Sequence, residues 1–343
     1  MTDAGPPPLA VSLGDPAGVG PELICEAWER RGDARLPPFF VAGGAGLLQA
    51  AARARGLDVP IARIDHPAAA GSLYGKALPV LGDLDAPYRP GEPNADGARL
   101  ALASLEQAAA LAVSRRASGI VTGPIAKALL AEVGFAFPGQ TEFVADACGA
   151  AAEDAVMLLA GPSLRTVPMT VHCALSEVPA RLSVELICRR ARIVAAGMRR
   201  DFGIAAPRLA IAALNPHAGE NGRMGDEEQR IIAPAIEVLR GEGIDASGPH
   251  PADSLFAPRA RATYDVAIAM YHDQALVPLK ALDFDEGVNM TLGLPVVRTS
   301  PDHGTAFAIA GKRLADAGAT IAAIRMAGDA AARRLAASSP QVR

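Results

Sequence analysis

Short apolar runs alternating with helical stretches constrain the fold of this chain more than any other feature. Phe39–Ala42 is such a run, and Ala45–Arg55 behind it has helical composition. Residues 9–13 read as an earlier strand, and residues 119–122 as a later one that stops at Gly123-Pro124, with Lys127 just beyond. Between them lie the strand candidates Ile61–Ile64 and Leu78–Leu81, and a helical segment over 94–116 with a polar cap. A run too short for a helix and apolar on both faces suits a strand covered on both sides. The βαβα order predicts a mainly parallel sheet. Half the residues are hydrophobic but only 4% are aromatic, so the core must come from Ala, Leu, Val and Ile. The 343 residues exceed the length at which one core stops growing (about 250 residues), which predicts two domains.

The second half repeats the theme with chemistry at the strand ends. Residues 155–160 and 166–171 flank Gly161-Pro162-Ser163 and predict an antiparallel hairpin whose second strand ends at His172. A basic-faced helix is expected over 186–202. A strand over 209–214 ends at Asn215-Pro216-His217, with a helix expected over 228–240. The apolar run 266–270 stops abruptly at Tyr271-His272-Asp273-Gln274. In open α/β sheets, ligands sit beyond the carboxyl ends of strands. His172, His217 and His272 are 45 and 55 residues apart, so only convergence at one sheet edge can unite them. Three histidines with an open position suit catalytic Zn²⁺, Co²⁺ or Ni²⁺ better than Ca²⁺. His66 and His250 fall in proline-bearing loops and read as surface.

Lys280, Asn289 and Arg298 are each embedded in apolar sequence. A cation there needs a partner, and an anionic substrate is one. Gln140 and Thr141 form a polar island between apolar segments. His303-Gly304-Thr305 predicts a turn opening a helix, whose exposed amides suit anions and nucleotides. GDPAGVGPE lacks the G-x-G-x-x-G spacing, and no other stretch has it, so a standard dinucleotide fold is not expected. Net charge is −4 with no basic block, which argues against nucleic acid. The four cysteines form no C-x-x-C pair, which fits a reduced, cytoplasmic setting. The amino terminus has no cationic start and reads as no signal peptide, and no apolar stretch approaches the ~20 residues of a membrane span.

GDPAGVGPE, VTGPIAK, GQTEF, NPHAGENGRMGDEE, GPHPADSLF, MYHDQALVPLK and GVNMTLGLPVVRTSPDHGTAF together resemble the 4-hydroxythreonine-4-phosphate dehydrogenase family of vitamin B6 synthesis. HGTAFAIAGK resembles the cofactor loop of isocitrate and isopropylmalate dehydrogenases. The resemblance implies a three-layer α/β/α, isocitrate/isopropylmalate dehydrogenase-like fold. It implies two subdomains, residues 1–135 with 280–343 and residues 136–279, with the active-site cleft between them and the dimer contacts on the second. It implies His172, His217 and His272 as ligands of a divalent metal (Zn, Co or Mg). It implies Gln140, Thr141, Lys280, Asn289 and Arg298 as substrate contacts, and His303, Gly304 and Thr305 beside NAD or NADP. Asp273 and Lys280 are the catalytic candidates. The implied partners are a small phosphorylated hydroxy-amino acid and a second copy of the chain sharing the site.

The implied reaction oxidises 4-phosphooxy-L-threonine to 2-amino-3-oxo-4-phosphooxybutanoate, a β-keto acid that decarboxylates to 3-amino-2-oxopropyl phosphate on the way to pyridoxal 5'-phosphate. Two positions depart from the family pattern, where histidine is usual at the place of Gln140 and frequent at that of Ala126. They point to an alternative substrate, a four-carbon sugar-acid phosphate such as phosphothreonate or phosphoerythronate. A metal-dependent hydrolase using the same histidines is a further alternative, though it needs no cofactor loop.

Overall fold

The computed structural model describes residues 6–338. In chain order the strands are β1 (Leu9–Ser12), β2 (Phe39–Ala42), β3 (Ile61–Ile64), β4 (Leu78–Leu81), β5 (Ile120–Thr122) and β6 (Val156–Ala160). They continue with β7 (Arg165–Pro168), β8 (Arg208–Ala212), β9 (Asp245–His250), β10 (Val266–Ala269), β11 (Val288–Leu292) and β12 (Arg298–Pro301). Helices alternate with them, so the chain is α/β.

The chain forms two compact units. The first comprises the chain up to Ala155, Val288–Met290 and the chain from Leu294. Its strands lie in the order β3-β4-β2-β1-β5-β12, and every neighbouring pair is parallel. All residues of β1, β2, β4 and β5 are buried, as apolar runs covered on both faces must be. Phe40, Leu105, Ile120 and Leu130 join one core. The Ala95–Val113 helix starts where Asn94 accepts a hydrogen bond from the Gly97 amide (2.9 Å), which satisfies one of the free amides of its first turn. This unit runs past residue 135, the expected boundary, because Val144 and Ala145 of the Gln140–Ala147 helix are fully buried in the same core.

The second unit comprises Val156–Gly287 and Thr291–Gly293. Its order is β6-β7-β10-β8-β9. β6 and β7 form the expected antiparallel hairpin, while β7, β10, β8 and β9 are parallel. The unit keeps residues 280–287, where the boundary was expected at 279/280. The His272–Asp283 helix passes that point and buries Ala275 and Leu279 against Leu159 and Leu164. The Val184–Phe202 helix is capped by Ser183, which accepts from Leu186 N (3.1 Å), and ends at Gly203 in the left-handed region.

Candidate active site

β7, β10 and β8 are adjacent and parallel, so the loops leaving their carboxyl ends share one edge of the second unit. Those loops carry His172, His272 and His217. His172 and His272 come together, with ring centroids 6.2 Å apart. They line a pocket of about 400 Å³ with Thr170, Cys173, Tyr271 and Asp273. His272 opens its helix just after Tyr271, and its Nδ1–H donates to Asp273 Oδ1 (2.7 Å). That bond favours the proton on Nδ1 and leaves Nε2 as the ring's other nitrogen. Asp273 is therefore no helix cap, since Tyr271 holds that position.

His172 and His217 both have φ of +52°, the left-handed region that non-glycine residues seldom enter. His217, Ala218, Glu220 and Asn221 are four such residues in close succession, with Gly219 left-handed among them. Backbone held this way costs on the order of 1–3 kcal/mol per residue and clusters at functional sites. His217 is not among the residues lining the His172–His272 pocket. Among the described residues no three His, Cys, Asp or Glu side chains gather as a ligand set. Lys280 lies farther along the same helix, its Nζ 5.8 Å from the Phe284 ring centre.

The first unit holds a separate cationic cradle. Arg298 opens β12 and is only 3% exposed. It donates to Thr122 Oγ1 (2.9 Å), Thr141 Oγ1 (3.2 Å) and Gln140 Oε1 (3.4 Å). Gln140 Nε2 in turn donates to Gly123 O (3.0 Å). Gln140 and Thr141 open a helix capped by Gly139, so Thr141 is not the cap, and Phe135, Phe137 and Phe143 pack around that helix start with ring centres 5.4–5.8 Å apart. Burial pulls the Arg298 guanidinium down to about 10, and the carboxylate of Glu142 opposes the shift. Asn289 Oδ1 is buried without a partner among the described residues.

The loops at the ends of β1 and β5 cross here in backbone contact. A Cβ on Gly123 would lie 2.8 Å from Gly14 N, and Asp15 N donates to Pro124 O (2.8 Å). Only glycine permits that approach. The GDPAGVGPE loop also meets the 303–305 loop. Val19 N donates to Thr305 O (2.9 Å), and a Cβ on Gly18 would lie 2.7 Å from that oxygen. His303 Nδ1 donates to Gly304 O (3.0 Å), while its Nε2 is buried without a partner among the described residues. The expected helix after His303-Gly304-Thr305 is absent. Ala306, Gly311 and Arg313 are left-handed, so residues 307–313 form turns, and the next helix begins at Gly318.

The chain matches the family model described as pyridoxal phosphate biosynthetic protein PdxA over residues 35–327. It belongs to the PdxA family. A 4-hydroxythreonine-4-phosphate dehydrogenase of Erythrobacter litoralis (strain HTCC2594) is 62% identical over 327 residues, which cover 95% of this chain and 97% of that one. The crystal structure of the 4-hydroxythreonine-4-phosphate dehydrogenase from Klebsiella pneumoniae is 37% identical with a TM-score of 0.81, covering 94% of this chain and 99% of that one. That of a terephthalate 1,2-cis-dihydrodiol dehydrogenase from Burkholderia xenovorans LB400 is 30% identical with a TM-score of 0.63, covering 94% and 97%.

In this PdxA-family chain the sequence-derived candidates fall into two groups, one per unit. His172, His272, Asp273, His217 and Lys280 belong to the second unit, and Gln140, Thr141, Asn289, Arg298 and His303–Thr305 to the first. Thr122 escaped sequence reasoning although it makes the shortest of the Arg298 bonds quoted above. Its position, ending β5 ahead of Gly123-Pro124, was the available signal. No helix among the described residues is long and apolar enough to cross a membrane.

Proposed function

We propose that this chain oxidises 4-phosphooxy-L-threonine at its secondary alcohol, with NAD as hydride acceptor, in pyridoxal phosphate biosynthesis. The observation that carries this reading is the near-full-length likeness to a 4-hydroxythreonine-4-phosphate dehydrogenase at 62% identity.

Two of the three histidines stand close to the spacing that a shared divalent cation needs. Two imidazoles sharing one Zn²⁺ through ~2.0–2.1 Å bonds place their ring centres roughly 5–6 Å apart. His172 and His272 stand at 6.2 Å, and Asp273 leaves His272 Nε2 free. Imidazole donors favour Zn²⁺ or Co²⁺ over Mg²⁺. His172 and His272 would hold the ion, with His217 as third donor. When bound, the cation lowers the pKa of an alcohol oxygen and the nicotinamide takes the hydride.

The chain's own groups bind and orient. Arg298 and Lys280 take the phosphate and carboxylate, with Arg298 presenting a planar fork. Gln140 and Thr141 steer that fork, and the buried Asn289 Oδ1 accepts from a donor on the substrate. Asp273 orients His272, and Lys280 handles the proton when the β-keto acid loses CO₂. His303, Gly304 and Thr305 line the cofactor side. The cofactor site uses NAD rather than NADP in this reading.

The working unit is a homodimer that shares its sites, with contacts on the second unit. Exposed Leu175, Val277 and Phe284 of that unit support this. The four cysteines are unpaired, in keeping with the cytoplasm. The test incubates the protein with NAD, a divalent cation and 4-phosphooxy-L-threonine and follows NADH. Equal oxidation of the unphosphorylated alcohol overturns the substrate assignment.

A further inference from the structure

Behind His303-Gly304-Thr305, residues 306–317 form turns and loop up to the helix at Gly318. Turns make few backbone bonds of their own, so such a stretch keeps its shape through outside anchors. Val19 N holds Thr305 O at the leading end (2.9 Å). In the middle, Gly311 packs on Pro90: a Cβ there would lie 2.7 Å from Pro90 Cγ, and φ is +72°. Pro90 is fixed by its neighbour, since Gly91 N donates to Ala17 O (2.8 Å). At the trailing end two arginines cross. Arg313 Nε donates to Ala54 O (2.8 Å), and Arg55 Nη2 donates back to Ala315 O (2.7 Å). The last turn of the Ala45–Arg55 helix is thereby clasped to residues 313–315. A helix end leaves its last carbonyls without partners in the helix, and Arg313 satisfies one of them. All of these residues belong to the first unit.

Arg55 is itself aimed by two carboxylates of the Gly20–Glu29 helix. Its Nε donates to Glu26 Oε2 (2.6 Å), and its Nη1 stands 3.3 Å from Glu22 Oε2. The Arg55 side chain is 9% exposed and that of Glu22 is wholly buried. Such a buried ion group adds little stability by itself, because desolvation offsets the attraction. What it supplies is direction. The planar fork of arginine serves Glu26, Glu22 and Ala315 O together, which the point charge of a lysine does not. Val19, the cap of the same helix, holds Thr305, so one helix governs both ends of the 303–315 stretch.

We infer that Arg55 and Arg313 are positioning residues: their clasp holds the 303–315 stretch in the shape that NAD binding needs. This rests on the cofactor reading above and does not depend on the metal. It goes beyond that reading in assigning the shape of the stretch to two side chains outside His303, Gly304 and Thr305, one of them on a helix about 250 residues earlier in the chain. A displacement of about 1 Å, caused far from the reacting atoms, can cost about a hundredfold in rate. Losing one hydrogen bond made by a charged group corresponds to roughly tenfold.

The test titrates the full-length protein with NAD by calorimetry, beside a thermal melt. Wild type is compared with Arg55→Lys, Arg313→Gln, His303→Ala and a control, Arg31→Lys. Arg31 lies in the same unit, and its fork also holds backbone carbonyls, Tyr74 O (3.1 Å) and Gly75 O (2.7 Å), outside the 303–315 stretch. Arg55→Lys keeps a cation beside Glu22 and Glu26 and is expected to bind NAD roughly tenfold more weakly. Arg313→Gln removes the exposed half of the clasp and is expected to weaken binding in the same direction by a smaller factor. Arg31→Lys is expected to melt earlier yet bind NAD as wild type does. Should Arg55→Lys fail to fold, Arg313→Gln decides. Wild-type affinity for NAD in the deciding variant, or an equal loss in Arg31→Lys, overturns the positioning role. Failure of wild type to bind NAD, or wild-type affinity in His303→Ala, instead overturns the cofactor reading, and the positioning role with it.

Discussion

Asp273 Oδ1 lies 2.7 Å from His272 Nδ1. The carboxylate can only accept, so the ring donates from Nδ1 and keeps Nε2 out of this bond. The pair sits at the end of β10, between the strands that lead to His172 and His217. Asp273→Asn keeps the shape but weakens the bond that selects this tautomer. Metal affinity should fall by roughly tenfold to a hundredfold. The melting temperature should barely move, because Asp273 is exposed. A metal titration beside a thermal melt separates the two effects.

Arg298→Lys keeps a charge and loses the fork that reaches Thr122, Thr141 and Gln140 together. Each hydrogen bond to a charged group is worth about 1.5–3 kcal/mol. The expected loss in kcat/KM for the phosphorylated substrate is tenfold or more, read from initial rates. Wild type adds a pH signature. Burial pulls the guanidinium below the usual arginine range, yet it stays charged through neutral and mildly alkaline pH. KM for the phosphorylated substrate should therefore show no Arg298 limb, staying flat through neutral and mildly alkaline pH.

Gln140 bridges Arg298 and Gly123 O without carrying charge. Gln140→Ala should lower kcat/KM with the metal affinity unchanged. Gln140→His should add a pH-dependent limb near the ordinary histidine pKa of about 6.5. Profiles of the three proteins on one phosphorylated substrate check this. A Gln140→Ala profile that matches wild type throughout would remove Gln140 from the substrate contacts.

The strands bearing His217 and His272 are also clamped at their other end. Arg208 donates from Nε (3.1 Å) and Nη2 (3.0 Å) to the Asp265 carboxylate, and Arg208 N donates to it as well (2.8 Å). The hydrogen bonds from the Arg208 side chain hold Asp265 below the usual carboxylate range. A depressed carboxylate adds stability above its unfolded pKa, and that contribution disappears as pH falls through the folded one. Asp265→Asn should therefore be less stable than wild type at neutral pH, and the difference should close below about pH 4. Urea melts across this range measure it.

His303→Ala should raise KM for NAD more than KM for the substrate, since the 303–305 loop packs on the GDPAGVGPE loop of the first unit. Equal effects on both would mark a general folding defect. Initial rates with each substrate varied in turn provide the comparison.

Legibility in the sequence followed hydrophobicity. Phe39–Ala42, Ile61–Ile64, Leu78–Leu81 and the Ala45–Arg55 helix were placed residue for residue, because apolar runs end sharply at glycine or polar breaks. β12 was missed because Arg298-Thr299-Ser300-Pro301 reads as a loop, although all four residues are buried. Its polar groups are satisfied by partners far along the chain, such as Thr299 Oγ1 on Ala323 O. β9, with the sequence DASGPH, was missed for the same reason. The three histidines stood out by their shared position, but the positive φ of His172 and His217 could not, since a non-glycine residue gives no warning of it. The helix expected after Thr305 failed on the same point at Ala306. Gln274 lay in plain view inside MYHDQ, yet its partner Ala213 O is 61 residues away.

The most direct measurement of the central claim is NADH formation from NAD and 4-phosphooxy-L-threonine by the metal-free protein, before and after addition of Zn²⁺ or Co²⁺. The account predicts no turnover without the cation, recovery on adding it, and a sharp loss of that recovery in His272→Ala. Full turnover by a metal-free preparation, or undiminished recovery in His272→Ala, would contradict it.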